Sequence, residues 1–209
     1  MDIVADLEWR YATKKFDKNL KLSREKLNIL KEAFNLTATS FGLQTINLFV
    51  VENQEIRDNL LKYSYDQKQI IDSSHLLVIC IKESIEDNDV NEYYDNIKSI
   101  RNTSETILNP YRNNLIKTMK AMTKKQQQQW SMNQAYIALG NLMTVCAVEK
   151  IDSCPMEGFL PVEYDKILDL KKKGLKSALL LPVGYRAEDD MFADFKKVRK
   201  NIEETIIEL

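Results

Sequence analysis

The stretch Leu76-Leu77-Val78-Ile79-Cys80-Ile81 is hydrophobic at every position. It is far too short for a transmembrane helix, which needs about 20 consecutive apolar residues. Because neighbouring side chains of a strand point to opposite faces, continuous hydrophobicity indicates that both faces are buried. We predict a buried strand here. A central strand with helices on both faces of its sheet would give this pattern, and so would any other buried strand.

Outward from this strand, the sequence predicts two more strands and several capped helices. Residues 46–52 and 177–183 have strand-like composition. Ser23 and Asn53 can each cap a following helix, because their side-chain oxygens accept from free N–H groups of the first turn. Thr123-Lys124-Lys125-Gln126 matches a capping box. These elements give an α+β protein.

Other segments are less regular. We predict a first helix over residues 2 to about 13, and a turn at residues 154–159. Residues 83–120 are predicted to be helices joined by loops, with Pro110 as an interruption, because proline lacks the N–H that helices need. Residues 201–209 fit either a strand or a helix.

The capping box opens the longest helical stretch, which continues to Val148. Small and apolar residues dominate residues 135–147. A helix so apolar is buried, either in the core of one chain or in an interface between subunits. The sequence alone leaves these two alternatives open.

Composition narrows the class of protein. The chain has 209 residues, of which 44% are hydrophobic and 29% charged, and its formal net charge is -1. These values are typical of a globular protein, and we predict a single domain over residues 1–209. They indicate neither a nucleic-acid nor a membrane partner. The first residues lack a basic segment followed by an apolar one, so we expect no signal peptide. Cys80, Cys146 and Cys154 are widely spaced, which favours reduced thiols in the cytoplasm.

Several kinds of active site are excluded. The only histidine is His75, so zinc sites with paired histidines cannot form, and we predict no metal site. A structural role for His75 is favoured over a catalytic triad. The five glycines are too far apart for a dinucleotide-binding fingerprint or a phosphate-binding loop. A bound nucleotide would therefore need side-chain cations to hold its phosphate.

Four separated segments carry candidate functional residues. They are Arg10-Tyr11-Ala12-Thr13-Lys14-Lys15-Phe16-Asp17, Thr39-Ser40-Phe41-Gly42-Leu43-Gln44, Pro155-Met156-Glu157-Gly158 and Lys197-Val198-Arg199. Each segment taken alone has an ordinary structural interpretation. A basic cluster after a helix, for example, offsets the helix dipole.

In their order and spacing, these segments resemble the motifs of the nitroreductase family. Asp66-Gln67-Lys68-Gln69, followed by Asp72-Ser73-Ser74-His75, is similar to a fifth family stretch. The resemblance extends from Asp2 to about Arg199. It implies a central antiparallel sheet wrapped by helices, and a homodimer with two FMN sites at the subunit interface. The C-terminal segment 201–209 would cross over and add a strand to the partner's sheet.

The resemblance also implies roles for individual residues. FMN phosphate would be bound by Arg10, Lys197 and Arg199, and Lys14 would lie at the pyrimidine edge of the ring. Backbone N–H groups of Glu157 and Gly158 would face flavin N5. The implied FMN-binding residues are Arg10, Tyr11, Ala12, Lys14, Gly42, Asp66, Gln69, Pro155, Met156, Glu157, Gly158, Lys197 and Arg199, with Thr39 and Ser40 contributed by the other subunit.

The chemistry implied is hydride transfer from NADH or NADPH to FMN. Reduction of a nitroaromatic, a quinone or a similar small electron-poor acceptor would follow, in a ping-pong mechanism. No catalytic side chain is required, because the flavin carries the chemistry. Relatives of this fold also reduce flavins or dihydropteridines, and a flavin-storage protein with little turnover is a further alternative. Residues 84–129, which would face the acceptor, do not choose between them.

Four positions depart from the family pattern. Tyr11 and Ala12 stand where a more polar pair is common. Ala12 lacks a hydroxyl that could bind FMN. Asp66 stands where a neutral amide is common, and a carboxylate beside a reduced, anionic flavin is unfavourable. Gln69 could make that contact instead. Thr45 replaces a usual proline after Gln44.

Overall fold

The computed structural model describes residues 2–209, and these contain a four-stranded antiparallel sheet. The strands are ordered β1-β2-β4-β3. The predicted strand at residues 76–81 is confirmed, and it is an inner strand of the sheet. The strands are β1 (Ile46–Val51), β2 (His75–Lys82), β3 (Asp152–Ser153) and β4 (Leu175–Gly184).

The part of the chain that the structure describes also contains nine α-helices. Together with the antiparallel sheet they make an α+β fold, as predicted. The helices are α1 (Ile3–Trp9), α2 (Arg24–Asn35), α3 (Gln54–Leu61), α4 (Gln69–Asp72), α5 (Asp87–Arg101), α6 (Glu105–Ala121), α7 (Lys124–Val148), α8 (Pro161–Ile167) and α9 (Ile202–Thr205).

The predicted helix starts are confirmed. Ser23 Oγ accepts from the Lys26 N–H at 3.2 Å, and Asn53 Oδ1 accepts from the Ile56 N–H at 3.0 Å. Thr123 forms the capping box expected at the start of α7. Each cap satisfies an N–H group that the first helical turn leaves without a partner.

Strand β2 divides the core into two layers. Leu77 and Ile79 pack into a cluster with α2 and α7, whereas Leu76 and Val78 pack into a second cluster with α3 and α8. All eight residues of β2 except Lys82 are buried. The continuous hydrophobicity of this strand therefore reflects helices on both of its faces.

One expectation about an irregular segment was wrong. Pro110 does not interrupt its segment but lies inside α6. Its missing N–H deprives only the Thr106 carbonyl of a helical partner, and Thr106 is exposed to water. Immediately before the predicted turn, Asp152 and Ser153 form the short strand β3, which the sequence did not predict and which pairs with Gly184 and Val183 of β4.

The first helix is shorter than predicted. It ends at Trp9 rather than near residue 13, because Arg10 has extended backbone angles. The following residues pair with the sheet, where Ala12 bridges Ser153 and Phe16 bridges Arg186. Pairing with the sheet thus replaces continuation of the helix. Local apolar periodicity could not predict this, since the pairing partners are distant in sequence.

The C-terminal segment is exposed from residue 196 onward. Residues 202–205 form one helical turn, so the structure of this chain has no strand there. Among residues 2–209, no helix is both long and apolar enough to cross a membrane.

We predict that His75 makes stability depend on pH. Burial lowers the pKa of His75, although Glu52 acts in the opposite direction. As the pH falls, the unfolded chain therefore takes up this proton first. Its contribution to the free energy of unfolding is present above about pH 6.5 and is lost as the pH falls through the folded-state pKa. Urea denaturation at several pH values should show a shallower acid decline for His75→Gln. Identical declines in both proteins would contradict this role.

Candidate active site

The N-terminal segment 10–17 lies along the end of the sheet. Thr13 N–H donates to the Ser153 carbonyl at 3.2 Å, and Asp17 N–H donates to the Tyr185 carbonyl at 2.9 Å. Ala187 N–H donates to the Lys15 carbonyl at 2.9 Å. These bonds place Arg10, Tyr11, Ala12 and Lys14 beside the predicted turn 155–158.

Asp190 fixes the path of this segment. One of its carboxylate oxygens accepts from the Tyr11 hydroxyl at 2.8 Å, the Lys14 N–H at 2.9 Å and the Lys15 N–H at 3.0 Å. Burial alone would raise the pKa of Asp190, but these hydrogen bonds outweigh it and lower the pKa. Burial and the bond to Asp190 together raise the pKa of Tyr11. Sequence reasoning missed Asp190.

Three cations gather at one end of the site. The Lys197 ammonium donates to the Arg10 carbonyl. The pKa of Arg10 is lowered by burial and then by the charge of Arg199. The pKa of Lys197 is lowered by burial and then by Arg10 and Arg199. Within residues 2–209, none of the three cations forms an ion pair with a carboxylate.

This end of the site also contains buried polar atoms without partners. Arg10 Nε and Thr13 Oγ1 are both buried and lack a hydrogen bond within the described chain. Such groups are costly unless something binds them. Uncompensated positive charge together with free donors is the arrangement expected of an anion-binding site.

The turn 155–158 lies next to these cations. Met156 pairs with Leu180, with N–H to carbonyl distances of 2.9 and 3.0 Å, so the turn is attached to β4. Cys154 immediately precedes the turn. Burial raises the pKa of its thiol, while Lys14 and Arg10 act in the opposite direction. The N-terminal segment and the turn therefore share one electrostatic environment.

Two side chains contact the turn from outside it. The Tyr136 hydroxyl donates to Glu157 Oε1 at 2.6 Å, and Gln67 Nε2 donates to the Gly158 carbonyl at 3.1 Å. A Cβ atom at Gly158 would lie only 3.1 Å from Gln67 Nε2. Glycine thus permits the close approach of Gln67. Neither Gln67 nor Tyr136 was predicted as a site residue.

Asp66 and Gln69, the two predicted site residues that flank Gln67, occupy different environments. Asp66 is exposed and has a left-handed backbone conformation, with φ of 56°. Gln69 is buried at the start of α4. It is therefore Gln67, between them, that contacts the turn.

The segment 39–44 forms no hydrogen bond with the other candidate segments in the described residues. Ser40 N–H donates to Gln134 Oε1 at 2.8 Å, which attaches the segment to α7. Gly42 has φ of 72°, and a Cβ there would lie 2.7 Å from Tyr93 Oη, so glycine is required. In the described residues no hydrogen bond joins Thr39, Ser40 or Gly42 to segments 10–17 or 154–158. One chain thus assembles the sites at residues 10–14, 155–158 and 197–199, but not residues 39–42.

We predict that Asp190→Ala destabilises the protein. The loss of the carboxylate leaves the Lys14 and Lys15 N–H groups and the Tyr11 hydroxyl without an acceptor, which costs about 1–3 kcal/mol. Urea denaturation measures this change in the free energy of unfolding. Asp189→Ala is the matched control, because Asp189 is exposed and pairs only with exposed Lys15. Equal stability of the two variants would contradict the assigned role of Asp190.

Comparison with known proteins shows the family of this chain. A family model described as the nitroreductase family matches residues 7–185. The chain is 27% identical to the oxygen-insensitive NAD(P)H nitroreductase of Salmonella typhimurium, and the match covers 100% of both chains.

Solved structures share the fold. A nitroreductase-like protein from Streptococcus mutans has a TM-score of 0.82 at 20% identity, covering 99% of this chain and 97% of that one. A protein from Exiguobacterium sibiricum, solved in complex with FMN, has a TM-score of 0.85 at 16% identity, covering 100% and 98%. The family match spans most of the chain, from α1 to the end of β4. This chain therefore belongs to the nitroreductase family.

Proposed function

We propose that this chain is an FMN-dependent oxidoreductase that oxidises NADH or NADPH. The observation that carries this proposal is the cluster of Arg10, Lys197 and Arg199 without a counter-anion, next to the turn 155–158. The Salmonella typhimurium relative is named as an NAD(P)H nitroreductase, which supports the choice of reductant. The FMN complex of a protein with the same fold supports the choice of cofactor.

The cationic end of the site fits the phosphate of FMN. Arginine presents a planar set of donors that matches phosphate oxygens, and lysine adds a point charge. Arg10 Nε is buried without a partner, and such a donor is satisfied when an anion binds. A dianionic phosphate would also offset the burial of Arg10 and Lys197 and the charge of Arg199, which lower the pKa values of both groups.

The other end of the site fits the flavin ring. Lys14 would lie at its pyrimidine edge, where a cation stabilises negative charge that develops on reduction. The Lys14 ammonium is exposed and forms no ion pair in the described residues, so its charge is not already neutralised. Tyr11 and Ala12 would line the same side, since Tyr11 is fixed by Asp190. The N–H groups of Glu157 and Gly158 would face flavin N5, beside Pro155 and Met156.

When bound, FMN supplies a centre that accepts a hydride and later gives up electrons. The chain's own task is to bind reductant and acceptor in turn over the same exposed face, which gives a ping-pong sequence. We propose nitroaromatics, quinones and similar electron-poor molecules as acceptors. No side chain of the site is needed as a catalytic acid or base. Whether Asp66 or Gln69 touches the flavin stays a prediction.

A homodimer would complete this site. Within the described residues, no hydrogen bond joins Thr39, Ser40 or Gly42 to the rest of the site, and we propose that a partner subunit supplies Thr39 and Ser40. Tyr136 and Ile137 of α7 are 45% and 49% exposed, although the remainder of that helical segment is largely buried. These residues support the interface alternative for part of α7.

The C-terminal tail, residues 201–209, and the outer edge of strand β1 also support a homodimer. Strand β1 pairs only with β2 among the described residues, so its outer edge is open. The tail exposes Ile202, Ile206 and Ile207. Covering an open edge with a partner's segment removes unpaired backbone groups, and it would bury these isoleucines. The segment 201–209 would then exchange its present helical turn for an added strand.

We also propose one domain for the whole chain, because the two core clusters share strands β2 and β4. Met1 lies outside the described residues. A cytoplasmic location fits the free, buried state of all three cysteines.

Removal of Arg199 should weaken FMN binding. Arg199→Ala deletes charge-assisted hydrogen bonds to phosphate, so the dissociation constant of FMN should rise roughly tenfold or more. Fluorescence titration of the apoprotein with FMN measures this change. Arg101→Ala, which removes an exposed arginine at the end of α5, is the matched control. Unchanged affinity in Arg199→Ala would remove Arg199 from the site.

Changes in the tail should weaken the dimer. Deletion of residues 201–209 removes the proposed exchanged strand, and Ile207→Asp should raise the dimer dissociation constant about tenfold or more through lost apolar burial. Sedimentation velocity measures both. Ile100→Asp is the control, because Ile100 and Ile207 are equally exposed in the single chain, at 82%. A deletion variant that stays dimeric and equally stable would exclude the exchange.

Turnover separates an enzyme from a flavin-storage protein. Steady-state oxidation of NADPH with menadione or a nitrofuran should reach at least about 1 s⁻¹, the lower end of typical enzyme rates. Bound FMN with negligible turnover on either acceptor would favour storage. Rapid turnover only with free flavin or a dihydropteridine would favour another reaction of the same fold.

A further inference from the structure

The turn 155–158 is fixed by two side chains from distant parts of the chain. Tyr136, on α7, donates its hydroxyl to Glu157 Oε1 at 2.6 Å. Gln67, between α3 and α4, donates to the Gly158 carbonyl at 3.1 Å. The two contacts hold consecutive residues from different sides, so they limit how the peptide between them can rotate.

Gln67 is itself attached to a rigid part of the core. Its amide nitrogen also donates to the Ser64 carbonyl at 3.1 Å, so both amide hydrogens have acceptors. Ser64 is buried, and its hydroxyl is 2.6 Å from the hydroxyl of buried Tyr164. Leu160 N–H donates to the Tyr63 carbonyl at 2.8 Å, which ties the end of the turn to the same region.

Tyr136 fixes the orientation of the Glu157 carboxylate. Glu157 is exposed, so its carboxylate would otherwise be free to reorient. The short hydrogen bond from Tyr136 holds it against the long helix α7, and this bond raises the pKa of the Tyr136 hydroxyl. Phenol donation also disperses part of the carboxylate charge.

We infer that Tyr136 and Gln67 are positioning residues that fix the Glu157–Gly158 peptide against the flavin and thereby set its reduction potential. The inference rests on the proposed function, because it requires FMN next to this turn. Backbone N–H groups aimed at the ring favour its electron-rich reduced state. A carboxylate free to approach the ring disfavours that state. Both side chains therefore raise the reduction potential.

The test compares Tyr136→Phe and Gln67→Met with the unaltered protein. Phenylalanine removes only the hydroxyl, and methionine keeps the length of glutamine without its donors. At a fixed solution potential, each variant should hold about tenfold less reduced flavin, which is a fall of about 30 mV for a two-electron couple. Equilibration with a redox dye during slow reduction measures the potential. Tyr111→Phe is the control, since Tyr111 is an exposed tyrosine on α6.

A double-mutant cycle separates positioning from general loss of stability. If Tyr136 acts through Glu157, then Tyr136→Phe should change the potential little when Glu157→Gln is already present. If the two substitutions shift the reduction potential additively, Tyr136 does not act through Glu157. The two variants should also retain FMN, because neither residue is assigned a contact with phosphate.

The outcomes distinguish this inference from the proposed function. A colourless unaltered protein that cannot be reconstituted with FMN would end the proposed function itself. If that protein binds FMN, then unchanged potentials in both variants would overturn the positioning role alone. Loss of FMN from both variants would overturn it as well, since it would show a binding or folding role instead.

Discussion

The site depends on the pairing of segment 10–17 with the chain that leaves β4. Phe16 bridges Arg186, Ala187 N–H donates to the Lys15 carbonyl, and Asp190 accepts from the main chain of Lys14 and Lys15. Because of this pairing, α1 must end at Trp9, and Arg10 reaches the turn 155–158. Without it, the N-terminal cations would have no fixed relation to the sheet.

Charge explains why this arrangement needs a ligand. Burial and then the charge of Arg199 lower the pKa of Arg10, while burial and then the charges of Arg10 and Arg199 lower the pKa of Lys197. Asp190 forms no ion pair with any of them within residues 2–209, and its hydrogen bonds go to Tyr11, Lys14 and Lys15. A fold that keeps cations together without a carboxylate gives up stability, and a bound anion restores it. This links family membership to the proposed phosphate-bearing cofactor.

Sequence predicted those features that depend on neighbouring residues. Capping residues such as Ser23 and Thr123 marked helix starts, and the apolar run marked β2, because their partners lie within a few positions. The end of α1 depends on pairing of residues 12 and 16 with residues 153 and 186, and strand β3 depends on pairing with Val183 and Gly184, so local pattern missed both. Motif resemblance located the cations and the turn. It could not locate Asp190, since nothing local distinguishes this carboxylate from the other acidic residues.

The central claim is that this chain binds a reducible flavin. The visible absorption spectrum of the purified protein, recorded before and after anaerobic addition of NADPH, tests it most directly. The account predicts a yellow protein whose flavin absorption bleaches with NADPH or, failing that, with NADH. A yellow protein that bleaches with neither would leave a flavin binder with another reductant. A colourless protein that cannot be reconstituted with FMN would contradict the account.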